Sequence, residues 1–171
     1  AIDDSLTQVE RVCRYVSSTI PLQRLVHVKM LASTARDLGT AEAEATIIPL
    51  LGTLAKDDKY VVRQHLSEQL FLLSEFFLGL DGTGSEASED AERYDLFLNR
   101  ILPSIARLVK DQREEVRQTA SEIFVKAARF VKASDHGNHV LTVALETAHD
   151  DDNEDLRMTA AVLLNELSPC L

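Results

Sequence analysis

Apolar residues recur along one helical face in the second half of each of several similar stretches of the chain. Val116, Ala120, Ile123, Phe124 and Ala127 fall at i, i+4, i+7, i+8 and i+11, and Leu156, Ala160, Leu163, Leu164 and Leu167 repeat those offsets. Val62, Leu66, Leu70 and Leu73 keep the rhythm, with Gln69 as the one polar miss. Steps of three and four are those of an α-helix burying one stripe. Another striped segment precedes each of the earlier two: Ile47, Ile48, Leu51 and Leu54, then Phe97, Ile101, Leu102, Ile105 and Leu108. Short polar turns, KDDKY, KDQREE and HDDDNED, separate the halves. Each unit therefore reads as helix A, turn, helix B. Such a hairpin leaves apolar surface bare and must stack on neighbours.

The units also agree in register. Pro49, Asp57 and Arg63 have the same spacing as Pro103, Asp111 and Arg117, and Val143, Asp151 and Arg157 continue the series without the proline. A weaker copy at the start places Cys13, Pro21 and His27 in these slots, so that the anchor position recurs after 36, 54 and 40 residues. The long interval holds an insertion, and a period of this size is the mark of a stacked repeat array. The expected repeats are 5–39, 41–78, 93–133 and 135–171, with a flexible acidic insertion over 79–92. Pro49 and Pro103 fall inside helix A and are expected to kink it.

Residues shared by the copies suit the fold. The aspartate lies between the helices, where it can cap free N–H groups at the start of helix B. The arginine sits one turn into helix B, within reach of a turn carboxylate in its own or the adjacent repeat. A ladder of Asp57, Asp111 and Asp151 with Arg63, Arg117 and Arg157 is expected to fix the stacking register. Residues that differ among the turns are better partner contacts: Asp58, Lys59, Tyr60, Gln112, Arg113 and Glu114.

Composition supports the helical reading. The 171 residues are 45% hydrophobic and only 5% aromatic, with six glycines and four prolines, which favours helix over strand. The first ten residues carry no basic, apolar leader, and no apolar run approaches the ~20 residues of a membrane span. The final SPCL does not place its cysteine in a prenylation register. Cys13 and Cys170 form no disulfide framework and there is no N-x-[ST] sequon, so a reducing compartment, cytoplasm or nucleus, is expected. The net charge of −10 and the absence of tryptophan or a basic run argue against nucleic acid as partner. An acidic array suits basic protein surfaces instead.

Motifs that could carry chemistry each lack a required part. The stretch GLDGTGSEASEDAE, Gly79 to Glu92, contains G-x-G-x-x-A but follows a helix and has no lysine. The acids from Asp150 to Asp155 lack the glycine and terminal glutamate of an EF-hand loop. His136, His139 and His149 invite a metal, but Gly137 lies at an expected helix start and polar helix-end histidines account for them. No histidine is followed by glutamate, as in di-iron hydroxylases built on helical repeats, and no G-x-S-x-G elbow frames a serine. The expectation is a protein without catalytic residues, metal or cofactor.

A repeat of this length, with "LP" in helix A, an aspartate at the turn and "VR" opening helix B, resembles the HEAT repeat. The stretches PLQRLVHVKMLASTARDLG, VVRQHLSEQL, ILPSIARLVKDQREEVRQTA and DDDNEDLRMTAAVLLNELSP carry the likeness along the whole chain. Within that class it is similar to the scaffold and regulatory subunits of the protein phosphatase 2A/4 group. The resemblance implies an all-α, right-handed αα superhelix of about four hairpins, using its intra-repeat turns as a binding ridge. It also implies a non-catalytic regulatory role, with a phosphatase 4 catalytic subunit as partner. The alternative is a HEAT adaptor in transport or cytoskeletal assembly; microtubule binders usually present basic turns, and two of these turns are acid-rich. Leu6, Val9, Val12 and Val16 at one end and LLNELSPCL at the other lack a polar capping face, so a longer array is expected.

Overall fold

A computed structural model of the chain describes residues 3–82, 90–149 and 153–170. Among the described residues the regular structure is helical, with no strand. The first unit contains α1 (Gln8–Tyr15), α2 (Pro21–Val28) and α3 (Leu31–Leu38); the second pairs α4 (Thr40–Leu54) with α5 (Tyr60–Phe77). The third runs from α6 (Asp90–Leu96) through a π turn, Phe97–Ile101, into α7 (Leu102–Val109) and returns as α8 (Glu114–Ala128). The fourth has a π turn, Gly137–Leu141, before α9 (Thr142–Ala148), then α10 (Glu154–Leu167). The second helices α2, α5, α8 and α10 pack side by side in chain order.

The stripes predicted from sequence are buried or partly buried, and all but Leu156 and Ala160 of α10 join one continuous core. Val62, Leu66, Leu70 and Leu73 of α5, Phe97, Ile101 and Ile105 of the third unit, and Val116, Ala120 and Phe124 of α8 are fully buried. Each of these side chains larger than alanine contributes roughly 1.5–3 kcal/mol by leaving water. Phe77, Phe97 and Phe124 are the bulkiest of the fully buried side chains.

Gln69, the polar miss in the α5 stripe, has a physical reason. The helix that follows the first turn is broken after Val28 and restarts as α3, which frees N–H groups in its first turn. Gln69 is buried, and its Oε1 accepts the Ala32 N–H at 3.0 Å. One amide from the second unit thus caps a helix of the first. Gly39 ends α3 and starts α4 at φ +79° and ψ 168°, a conformation that excludes side chains with a Cβ.

The two prolines have different surroundings. Pro49 lies inside an uninterrupted α4. Ahead of Pro103 the distortion is a π turn, in which the Leu102 N–H bonds to the Phe97 carbonyl. The fourth unit has the same turn, Thr142 N–H to Gly137 carbonyl, although Val143 stands where the proline would be. The π turn, present in the third and fourth units and absent from α4 of the second, therefore does not track proline. The insertion expected to be flexible falls partly on residues 83–89, outside the described residues. Its entry is anchored: the Asp81 side chain is 7% exposed and meets Arg36 Nε at 3.0 Å.

Candidate partner-binding edge at the intra-repeat turns

The fourth residue of α2, α5, α8 and α10 is Arg24, Arg63, Arg117 and Arg157 respectively. This corrects the register of the first unit. Its arginine is Arg24 and not the His27 slot, its turn residue is Ser18 and not Pro21, and the spacings become 39, 54 and 40. His27 is instead 1% exposed, with Nδ1 2.7 Å from the Gln23 carbonyl and its ring 4.9 Å from that of Tyr15. It is a core residue.

Three turns share one construction. Six residues before the arginine, a short polar side chain accepts a backbone N–H two residues on: Ser18 Oγ from Ile20 at 3.1 Å, Asp57 Oδ1 from Lys59 at 2.9 Å and Asp111 Oδ1 from Arg113 at 2.9 Å. The aspartates were expected to cap the helix itself. They bond one residue ahead of it, because the Asx turn closes over two residues and its target, Lys59 or Arg113, precedes the first helical residue. The arginine then closes the turn from the helix side. Arg24, Arg63 and Arg117 donate through Nη1 to the carbonyls of Ser18, Asp57 and Asp111 at 2.9, 2.6 and 2.9 Å.

The other edge of each guanidinium reaches the next unit. Arg24 grips Asp57 through Nε and Nη2 at 2.6 and 2.8 Å, with side chains 11% and 5% exposed. Arg63 grips Asp111 in the same way at 2.7 and 2.8 Å, with side chains 14% and 9% exposed. These are bidentate, charge-assisted pairs shielded from water. Burial works against the charge on Asp111, but the bonds from Arg63 and the Arg113 N–H prevail and hold its pKa below the usual carboxylate value. The same pairing raises the pKa of Arg63.

The third rung differs. Arg117 is 5% exposed and donates to both Asp111 and Gln112 carbonyls, but its acid is Asp155, 3.5 Å from Nη2 and 75% exposed. Among the described residues Arg117 Nε has no acceptor. Asp151, the expected partner, lies outside the described residues. Arg157 holds the equivalent place in α10, whose cap is Asn153, bonded to the Asp155 and Leu156 N–H groups at 3.0 and 3.3 Å.

The proposed contact residues sit on the outside of this ladder. Asp58, Lys59, Gln112, Arg113 and Glu114 are exposed and Tyr60 is half-buried. Asp58 lies between Arg24 and Lys59, and the Lys59 hydrogen bond helps hold its pKa below the usual value. The Arg113 guanidinium lies 4.5 Å from the centroid of the Tyr60 ring, and Glu115 steadies it at 2.9 Å. The structure thus brings Tyr60 of one unit and Arg113 of the next into a single surface feature. Glu114 opens α8, where its charge suits the helix dipole. Gln112 contributes its carbonyl to Arg117.

The three histidines considered for metal end elsewhere. His136 Nε2 meets the Val131 carbonyl at 2.8 Å and His149 Nδ1 the Leu145 carbonyl at 2.7 Å, while His139 lines the α7–α9 groove. Among the described residues no group of three or more His, Cys, Asp or Glu is placed to hold a metal, and no helix is long and apolar enough to cross a membrane. The place of Arg24 in the ladder and the capping role of Gln69 are not among the readings drawn from sequence. A signal existed for each: an arginine four residues into a proline-started helix, and a lone amide in an apolar stripe. No protein-family model matches the chain, and no match is found among curated proteins.

Proposed function

We propose that the chain is a non-catalytic scaffold that binds protein partners along its intra-repeat turns, and that it serves as a regulatory array of a phosphatase-4-type serine/threonine phosphatase. The observation that carries the scaffold reading is the division of labour at the turns. Buried, bidentate Arg24–Asp57 and Arg63–Asp111 pairs lock one unit to the next. The side chains that vary from turn to turn project from this rigid base, and the Tyr60–Arg113 stack joins two units into one contact. A preset, non-repeating edge on a repeating core is what specific recognition needs, because little side-chain freedom is lost on binding. Aromatic and arginine residues are also the usual anchors of protein interfaces. The phosphatase assignment rests on the HEAT-like motifs LP, Asp and VR and their likeness to that group's regulatory subunits.

The test is retention of purified phosphatase 4 catalytic subunit on the immobilised chain. Wild-type chain should retain it, and the triple variant Lys59→Glu, Tyr60→Ala, Arg113→Glu should not. Failure of the wild type to retain the enzyme removes the phosphatase assignment and leaves a scaffold for other proteins. Retention by the triple variant keeps the assignment and moves the contact elsewhere.

A further inference from the structure

One cavity on the turn edge contradicts the charge of the whole. The chain carries −10, and the groove between α8 and α10 follows that trend, with Glu114, Glu122, Asp155 and Glu166 against Arg117. Between the second and third units, however, an open cavity of about 590 Å³ is lined by Lys56, Arg63, Arg107 and Lys110. Its acids are Asp57 and Asp111, and both are spent: Asp57 on Arg24 and Asp111 on Arg63. Lys110 shares its charge with Glu146 at 2.6 Å. Lys56 and Arg107 are exposed, and neither is in an ion pair among the described residues. The lining is net cationic, four cations against two acids, and the ladder leaves two of those cations uncommitted and a third held by a single exposed acid.

We propose that this cavity binds a phosphorylated serine or threonine borne on an extended protein segment. Two or more cations converging on one cavity match a dianion better than a single carboxylate, and guanidinium and ammonium are the groups proteins use for phosphate. The walls add specificity for a chain over a free ion. Arg107 and Lys110 also line the neighbouring groove between α7 and α9, whose floor is Leu98, Leu102, Pro103 and Val143. A segment with phosphate in the first cavity can lay the adjoining apolar residues in the second. This site deepens the scaffold reading and rests on it: a phosphatase scaffold gains a means of holding phosphorylated protein near the enzyme.

The test uses the purified chain alone, so its outcome is independent of whether the phosphatase is retained. A fluorescein-labelled degenerate nonapeptide library with a central phosphothreonine is titrated by anisotropy beside its unphosphorylated counterpart. The phosphorylated pool should bind saturably, at least tenfold tighter than the unphosphorylated one, and weaken as salt rises. Lys56→Glu with Arg107→Glu should cost tenfold or more. The equal charge change at exposed positions on other faces, Lys29→Glu with Arg129→Glu, should cost less than twofold, with all variants checked by thermal melting. No saturable binding at millimolar chain overturns the proposal, as does equal binding of the unphosphorylated pool or equal loss in the control variant. Displacement by inorganic phosphate at the same concentration as the peptide overturns its assignment to a protein segment.

Discussion

The second and third rungs of the arginine ladder are built on the same spacing and differ in tightness. Arg63 and Arg117 both sit at the fourth position of their helix and both bond a carbonyl six residues back, at 2.6 and 2.9 Å. Arg117 is the more buried of the two by side chain, at 6% against 14%. Even so, Arg63 holds its acid with two short bonds, and Arg117 reaches Asp155 only at 3.5 Å. Burial of the arginine therefore does not set the strength of the rung. The acid does. Asp111 is fixed beforehand by the Arg113 N–H, so both its oxygens are oriented when the guanidinium arrives. Asp155 lies in the first turn of α10, where Asn153 already serves its N–H and its carboxylate stays in water. The position of the arginine comes from its own hairpin; the grip between hairpins comes from a preorganised acid.

The largest effect should come from removing that acid. Asp111→Ala strands the Arg63 guanidinium in a shielded site, and breaking a buried pair costs about 3–5 kcal/mol. Asp155→Ala removes an exposed, stretched contact and should cost less than ~1 kcal/mol. Urea unfolding of both variants decides it. Equal losses would mean that the two rungs are equivalent and that the hairpin, not the acid, carries the register.

Next is the first rung, where Arg24 and not position 27 carries the pair. Arg24→Ala should cost about 3 kcal/mol, since it leaves Asp57 buried at 5% exposure. His27→Arg, which would restore a pattern arginine if the spacing of 36 were right, should also destabilise. It forces a longer, charged side chain against Tyr15 in the core. A rise in melting temperature for His27→Arg would return the anchor to position 27.

Arg24 and Gln69 mark how far the sequence can be read. The helical stripes, the turns and the aspartate–arginine spacing of the middle units were visible because each is local and periodic. Arg24 was hidden because its turn uses Ser18 where the others use aspartate, so matching letters shifted the register by three while the bond geometry stayed the same. Gln69 was visible as an exception but not explained, since its partner, the Ala32 N–H, is freed by a helix break that no proline or glycine announces. The pairing of each arginine with the following unit rather than its own required three dimensions. The same is true of the cationic cavity: Lys56 and Arg107 are far apart in sequence, and only the fold brings them to one lining.

A gentler probe of the same contrast is acid. Asp111 has a folded-state pKa below its ordinary value, so between that value and the unfolded one, near ~4, the unfolded chain binds the proton more readily. Stability from the second rung is thus fully present above the ordinary carboxylate pKa and is lost as pH falls through the lowered one. Melting temperature followed from pH 7 to pH 3 should fall less steeply below pH ~4 for Asp111→Asn than for the wild type. Parallel curves would show that the rung titrates as an ordinary exposed acid.

The smallest expected effect lies directly above the tight rung. Arg113 donates its N–H to Asp111 and places its guanidinium over Tyr60, so the surface stack and the buried pair share one residue's backbone. Tyr60 is half-buried and Arg113 exposed, which limits their attraction to roughly 0.5–1 kcal/mol. A double-mutant cycle with Tyr60→Leu and Arg113→Gln should recover a coupling in that range. The cycle is then repeated in an Asp111→Ala background, which removes the side-chain oxygen that accepts the Arg113 N–H. If the ladder presets the contact edge, loss of that acceptor frees the Arg113 backbone and the coupling should shrink toward zero. A coupling unchanged by Asp111→Ala would show that the edge organises itself. The ladder would then hold the units together without shaping the surface they present, and the link drawn between buried register and exposed recognition would be broken.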